Sequence, residues 1–193
     1  MKNKKLNRSF FAQPTLRVAQ ELLGKCLILK HNGTVFSGKI VETEAYVGKD
    51  DPASHAYGRI TPRNQIMYGP PGYAYIYFVY GNHYCLNFVT ERKGFPAAVL
   101  IRAVEPQEGI VVMQKNRKSQ NLKNLSNGPG KLCQALGINR EFNGSDITAD
   151  RFFVEDRGEK IQRIVSSERI GVQKGRSKKW RFYLENNEFV SKK

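Results

Sequence analysis

Six of the nine tyrosines (Tyr68, Tyr73, Tyr75, Tyr77, Tyr80 and Tyr84) fall in one 17-residue window. Side chains on a strand alternate between faces, so Tyr73, Tyr75 and Tyr77 share one face and Ile76, Phe78 and Tyr80 the other. Aromatic and β-branched residues fit a pleated surface, and Tyr73 to Tyr80 contains almost nothing else. Gly81-Asn82 reads as a turn, with Tyr84 to Val89 continuing as the returning strand. Such a hairpin is not stable alone. The chain must therefore build a sheet around it.

The flanking sequence supplies that sheet. Cys26 to Leu29, Lys39 to Tyr46 and Ala97 to Val104 read as strands, the last ending at Pro106. Pro14 to Leu23 reads as an amphipathic helix with Leu16, Ala19 and Leu23 on one face and Gly24 closing it. Glu108 to Arg117 and Gly130 to Leu136 read as short helices. Val47 to Met67 is too long for a simple turn, and ordered loops of that length often carry function. The tail from Arg163 to Arg181 holds seven basic residues against Glu168 alone, and finishes in a strand, Trp180 to Leu184. There is no repeat, heptad or linker. The expectation is a single α+β domain over residues 1–193, a mostly antiparallel curved sheet flanked by short helices, with residues 1–9 a basic and flexible N-terminus.

Charge narrows the partner. Lys plus Arg number 32 and Asp plus Glu 17, a net +15, which calls for a polyanion, either nucleic acid or an anionic membrane surface. No run nears the roughly 18 apolar residues of a membrane span, and no basic amphipathic helix offers an apolar face to a bilayer. The N-terminus lacks the apolar core of a signal peptide. Cys26, Cys85 and Cys133 are too widely spaced for a disulfide framework or a CxxC pair, which suggests a reducing, cytoplasmic setting. The three histidines form no zinc-binding pattern, so no metal is expected. Asn127-Gly128-Pro129-Gly130-Lys131 is not a Walker loop, because Leu132 stands where Ser or Thr belongs. A glycine-rich helix start beside Lys131 still suits a single backbone phosphate.

Glu42, Glu44, Asp50 and Asp51 cluster within ten residues of this basic chain. Glu42, Glu44 and Tyr46 project to one face of their strand. Two readings stand: a general base in a cleft, or an edge strand with an ordinary solvated face, which this segment alone favours. His55 follows in the loop with Arg59 and Arg63 near it. Tyr80, at the hairpin turn, is placed to act as a wedge or stacking platform for bases.

Taken in order, VETEAY (41–46), HAYGRITPRN (55–64), YAYIYFVYGNHYCLN (73–87), AAVLIRAVEP (97–106), NGPGKLCQALGI (127–138), RIGV (169–172) and WRFY (180–183) resemble the alkyladenine (3-methyladenine) DNA glycosylase family, in its bacterial form. The resemblance covers residues 10–190. It implies a fold like the C-terminal domain of formyltransferases and a monomeric, cofactor-free enzyme acting on damaged purines in double-stranded DNA, in the cytoplasm or nucleoid. By position, Glu44 would activate the attacking water and Arg102 would help hold it. Tyr46, His55 and Tyr77 would enclose the flipped base, with Asn87 at the floor against the 2-amino group of normal guanine. Tyr80 would fill the gap in the stack, and Arg59, Arg63 and Lys131 would meet the DNA. Asn82-His83 departs from the larger apolar or aromatic residues of family members. The rivals are a non-catalytic RNA- or DNA-binding module on the same fold and a lyase using a pocket lysine, for which the pocket segments offer only Lys49.

A partner recognised through phosphates has a signature. Affinity for undamaged duplex DNA, measured by fluorescence anisotropy, is expected to fall linearly on a log–log plot against salt and to depend little on sequence.

Overall fold

The computed structural model describes residues 3–79 and 81–192. Its strands are β1 (Lys4–Lys5), β2 (Cys26–His31), β3 (Thr34–Val47), β4 (Ala74–Val79), β5 (His83–Val89), β6 (Ala97–Glu108), β7 (Phe152–Asp156), β8 (Ile164–Ser167) and β9 (Arg181–Leu184). The α-helices are α1 (Arg8–Phe11), α2 (Thr15–Glu21), α3 (Ile110–Arg117) and α4 (Pro129–Leu136). All strand pairs are antiparallel, in the order β1-β7-β2-β3-β6-β5-β4, with β9 added to β3 and β8 to β9. This is the expected α+β class.

The long strand β3 organises the sheet. Asn32 and Gly33 both take positive φ, 48° and 72°, as a two-residue type I′ hairpin turn requires. The turn brings β3 in at Thr34, five residues before the expected Lys39. One edge of β3 pairs with β6, and the other is shared by β2 along residues 34–39 and by β9 along residues 42–44. Between Ile40 and Glu42 the register with β6 slips, leaving Val41 as a bulge that bends the strand. The solvated-edge reading of the acidic segment is thereby overturned. Strands cover β3 on both sides, and Glu42 and Glu44 are 0% exposed.

Register also places the site. Tyr75, Asn87, Leu100, Glu44 and Arg181 are neighbours in one row across β4, β5, β6, β3 and β9. Adjacent residues face the other way: Ile76, Leu86, Phe88, Val99, Ile101 and Ala45 join the main core with Val18 and Ala19 of α2 and Leu132 and Leu136 of α4. One sheet face is thus sealed by helices, and the opposite face is left for chemistry.

Several local expectations change. Glu108 ends β6 instead of starting a helix, and α3 begins only after Gly109, whose φ is 76°. A Cβ there would stand 2.8 Å from the Phe36 ring and 2.9 Å from the Val35 carbonyl oxygen. β6 continues past Pro106 because that residue pairs with Gly38 at a register shift, where proline is tolerated. The short strands β7 and β8 add to those expected: β7 opens on the apolar run Phe152-Phe153-Val154, too short to show a period, and β8 is half serine. The N-terminal segment, expected to be flexible, is paired from residue 4: Lys4 and Lys5 lie against β7, and Asn7 accepts from the Phe10 N–H to cap α1.

Glu42 ties three of these strands to the C-terminal segment. Its Oε1 accepts from Arg102 Nε (3.0 Å), Arg181 Nε (2.7 Å) and Ser191 Oγ (2.9 Å), and its Oε2 from Ser191 N (2.7 Å). Removing one partner of a buried pair strands the other charge at a cost of about 3–5 kcal/mol. Glu42→Ala is expected to lose that much stability in a urea titration followed by the fluorescence of Trp180.

Candidate active site

A cavity of about 210 Å³ opens on the free sheet face. It is smaller than the roughly 300–1,000 Å³ of sites for drug-sized ligands, which suits a single base. Tyr75 and Tyr77 of β4, Asn87 of β5 and Arg102 of β6 line it from the sheet, with Tyr46 at the end of β3. The long 48–72 loop adds His55 and Met67, and the 168–180 loop adds Ile170, Gly171 and Val172.

Glu44 lies directly behind this lining. Tyr46 Oη donates to its Oε2 at 2.8 Å, the Ile170 N–H donates to its Oε1 at 2.7 Å, and Arg102 Nη1 stands 3.3 Å from Oε1. All three partners border the cavity. Oε1 is met by two of these groups, and Oε2 keeps a lone pair beyond its bond from Tyr46. Burial, then the Glu44 carboxylate, push the Tyr46 phenol well above its ordinary value, so it remains an O–H donor. Arg102 is oriented from the far side, since its Nε is held by Glu42.

The rings form a cage. His55 meets Tyr77 edge-on with centroids 4.4 Å apart, and Tyr75 and Tyr77 lie 5.4 Å apart. His55 as a residue is open to solvent, yet its imidazole is packed against these rings. That burial, followed by the charge of Arg63, lowers its pKa to about 4. Burial pushes the Tyr75 phenol up to about 12. Tyr75 Oη lies 2.9 Å from His55 Nδ1, within hydrogen-bond distance. Asn87 spends its amide N–H groups on the Tyr75 and Cys85 carbonyls, at 3.0 and 3.5 Å. Its Oδ1 is the polar group left over.

Of the expected site residues, Tyr46, His55, Tyr77, Asn87 and Arg102 line one cavity, and Glu44 sits behind it. Arg63 lies over the Tyr77 ring at 5.3 Å and donates to the Phe78 carbonyl. Arg59 is exposed on the same loop, and Lys131 donates to Asn127 Oδ1 at 2.8 Å near the start of α4. Tyr80 lies outside the described residues. Among the described residues no lysine lines the cavity and no metal-binding cluster occurs.

Sequence reasoning missed Tyr75, Glu42, Asp51, Arg169 and Ile170. Arg169 and Asp51 are both fully buried and form a two-pronged ion pair, Nη1–Oδ2 at 2.6 Å and Nη2–Oδ1 at 2.8 Å. They are 118 residues apart in sequence. In the sequence Asp51 stands only in an acidic cluster, and Arg169 only in the basic tail and at the start of the RIGV motif.

Comparison with known proteins places the chain in a family. The family model described as methylpurine-DNA glycosylase (MPG) matches residues 9–188. A protein of Desulfitobacterium hafniense is 46% identical over 98% of this chain and 100% of its own length. One of Clostridium acetobutylicum is 47% identical over 97% of each. One of Prosthecochloris aestuarii is 49% identical over 96% of this chain and 90% of its own. All three carry the name "Putative 3-methyladenine DNA glycosylase". With its sheet, its aromatic cavity and a family match spanning nearly its full length, the chain belongs to the methylpurine-DNA glycosylase family.

Proposed function

We propose that this DNA glycosylase acts in base-excision repair as a monomer. It turns alkylated or deaminated purines (3-methyladenine, 7-methylguanine, hypoxanthine and ethenoadenine) out of duplex DNA, hydrolyses the N-glycosidic bond and leaves an abasic site. The observation that carries this reading is a base-sized aromatic cavity backed by the buried carboxylate of Glu44.

A base in a duplex is inaccessible, so extrusion must offset an unstacking cost of a few kcal/mol. Tyr80 inserts into the gap, while Arg59, Arg63 and Lys131 hold the backbone. Alkylation at N3 or N7 makes the purine cationic. Tyr46, Tyr77 and the neutral His55 then favour it over a normal base, and Asn87 excludes the 2-amino group of guanine. The charged purine leaves without needing an acid. Glu44 stabilises the oxocarbenium-like sugar and takes a proton from the attacking water, which Arg102 helps to hold.

Base release from duplexes carrying 7-methylguanine, 3-methyladenine or hypoxanthine tests this directly. Glu44→Gln is expected to slow release by about 10²–10⁴-fold with duplex binding retained. A parent protein that binds DNA and releases nothing would mean a binding module, and a borohydride-trapped adduct would mean a lyase. Tyr77→Leu should weaken selection for charged lesions by about 0.5–2 kcal/mol, read as the 7-methylguanine to hypoxanthine ratio. The His55 ring is expected to titrate near 4 by NMR. The folded pKa lies below the unfolded 6.5, so this group costs no stability above pH 6.5 and weakens the fold as pH drops from there through 4. Activity should show no limb at 6.5 from this residue.

A further inference from the structure

Both oxygens of Glu44 are held by groups that lead back to Arg169. The Oε1 donor is the N–H of the next residue, Ile170. The Oε2 donor is Tyr46, whose ring lies 4.8 Å from the Arg169 guanidinium. Trp180 covers the guanidinium at 5.2 Å. Arg169 Nη1 also donates, at 3.0 Å, to the carbonyl of Ala45, the residue between Glu44 and Tyr46. Its Nη2 reaches the Gly175 carbonyl at 3.3 Å within its own loop. Asp51 fixes the plane of the fork by taking one bond from each Nη, and Lys178, stacked on Trp180 at 4.1 Å, adds a second cation 4.0 Å from Asp51.

We propose that the buried Asp51–Arg169 pair is a positioning clamp that sets both hydrogen-bond donors of Glu44 at once, by locking the 168–175 loop and the end of β3 to one planar group. The proposal rests on the glycosylase reading above. Stability is a weak rationale for the pair. A buried ion pair rarely outperforms apolar packing, and this one leaves the Arg169 Nε buried without a hydrogen-bond partner, which costs further. Orientation is the better one, because only a guanidinium offers a rigid fork to a carboxylate and two flat faces to aromatic rings. A lysine there would keep the charge and lose the plane. Neither residue borders the cavity, so the clamp acts through Ile170 and Tyr46 and not on the base.

The test is single-turnover release of 7-methylguanine over a range of enzyme concentrations, for parent, Glu44→Gln, Arg169→Lys and Asp51→Asn proteins, with thermal unfolding recorded for each. The clamp requires Arg169→Lys and Asp51→Asn to lower the maximal rate about 10- to 100-fold while the half-saturating concentration stays within about twofold. It is overturned if the folded variants release base at the parent rate, or if only the half-saturating concentration changes. Should either variant fail to fold, Trp180→Phe keeps the ion pair and alters one face of the stack. A smaller fall in the same maximal rate is then expected, and an unchanged rate overturns the clamp. An inactive parent sinks the glycosylase reading itself. An active parent, an inactive Glu44→Gln and an unimpaired Arg169→Lys sink the clamp alone.

Discussion

Two carboxylates on one strand, Glu42 and Glu44, are fully buried in a chain of net charge +15, and the rest of the site depends on how their charge is met. Arg102 bridges them, with Nε 3.0 Å from Glu42 and Nη1 3.3 Å from Glu44. Buried anions are tolerable only when paired and fully hydrogen-bonded. That requirement draws β6, β9, Ser191 and the Ile170 N–H to the same few ångströms of β3. Glu42 receives Arg181 and Ser191 as well as Arg102. Glu44 receives a phenol, a backbone amide and a shared guanidinium, and remains the carboxylate nearer the cavity.

The sheet makes this arrangement by register alone. Glu44 and Asn87 flank Leu100 across β3, β6 and β5, and Tyr75 extends the same row on β4. A one-residue slip in any of these pairings would turn the site residues into the helix-covered core. The core on the opposite face, with Phe88, Ile101 and Leu132 fully buried, therefore sets the register that the chemistry uses. Two long loops then finish what the strands begin. The 48–72 loop brings His55 and the 168–180 loop brings Ile170, and Asp51 with Arg169 fastens one to the other.

The arginines do two kinds of work. Arg102, Arg169 and Arg181 are buried and consumed internally by Glu42, Glu44 and Asp51. Arg59 and Arg63 stay exposed on the loop beside the cavity. A largely aromatic cavity close to exposed cations pairs phosphate attraction outside with ring contacts inside.

The sequence by itself determined the tyrosine hairpin, most of the strands around it and the face on which Tyr75 and Tyr77 lie, because alternation is a local property of an extended chain. It also determined the family, through motifs kept in order along the chain. Local turn chemistry such as Asn32-Gly33 moved a strand boundary and nothing more. Tertiary structure alone decided that the acidic strand is central and not an edge, since coverage by β9 depends on a partner some 140 residues away. It alone decided that Asp51 and Arg169 meet and that the His55 ring packs neutral against Tyr75 and Tyr77. Those outcomes come from burial and from pairing between distant residues, and neither has a period or a spacing that a linear reading could find.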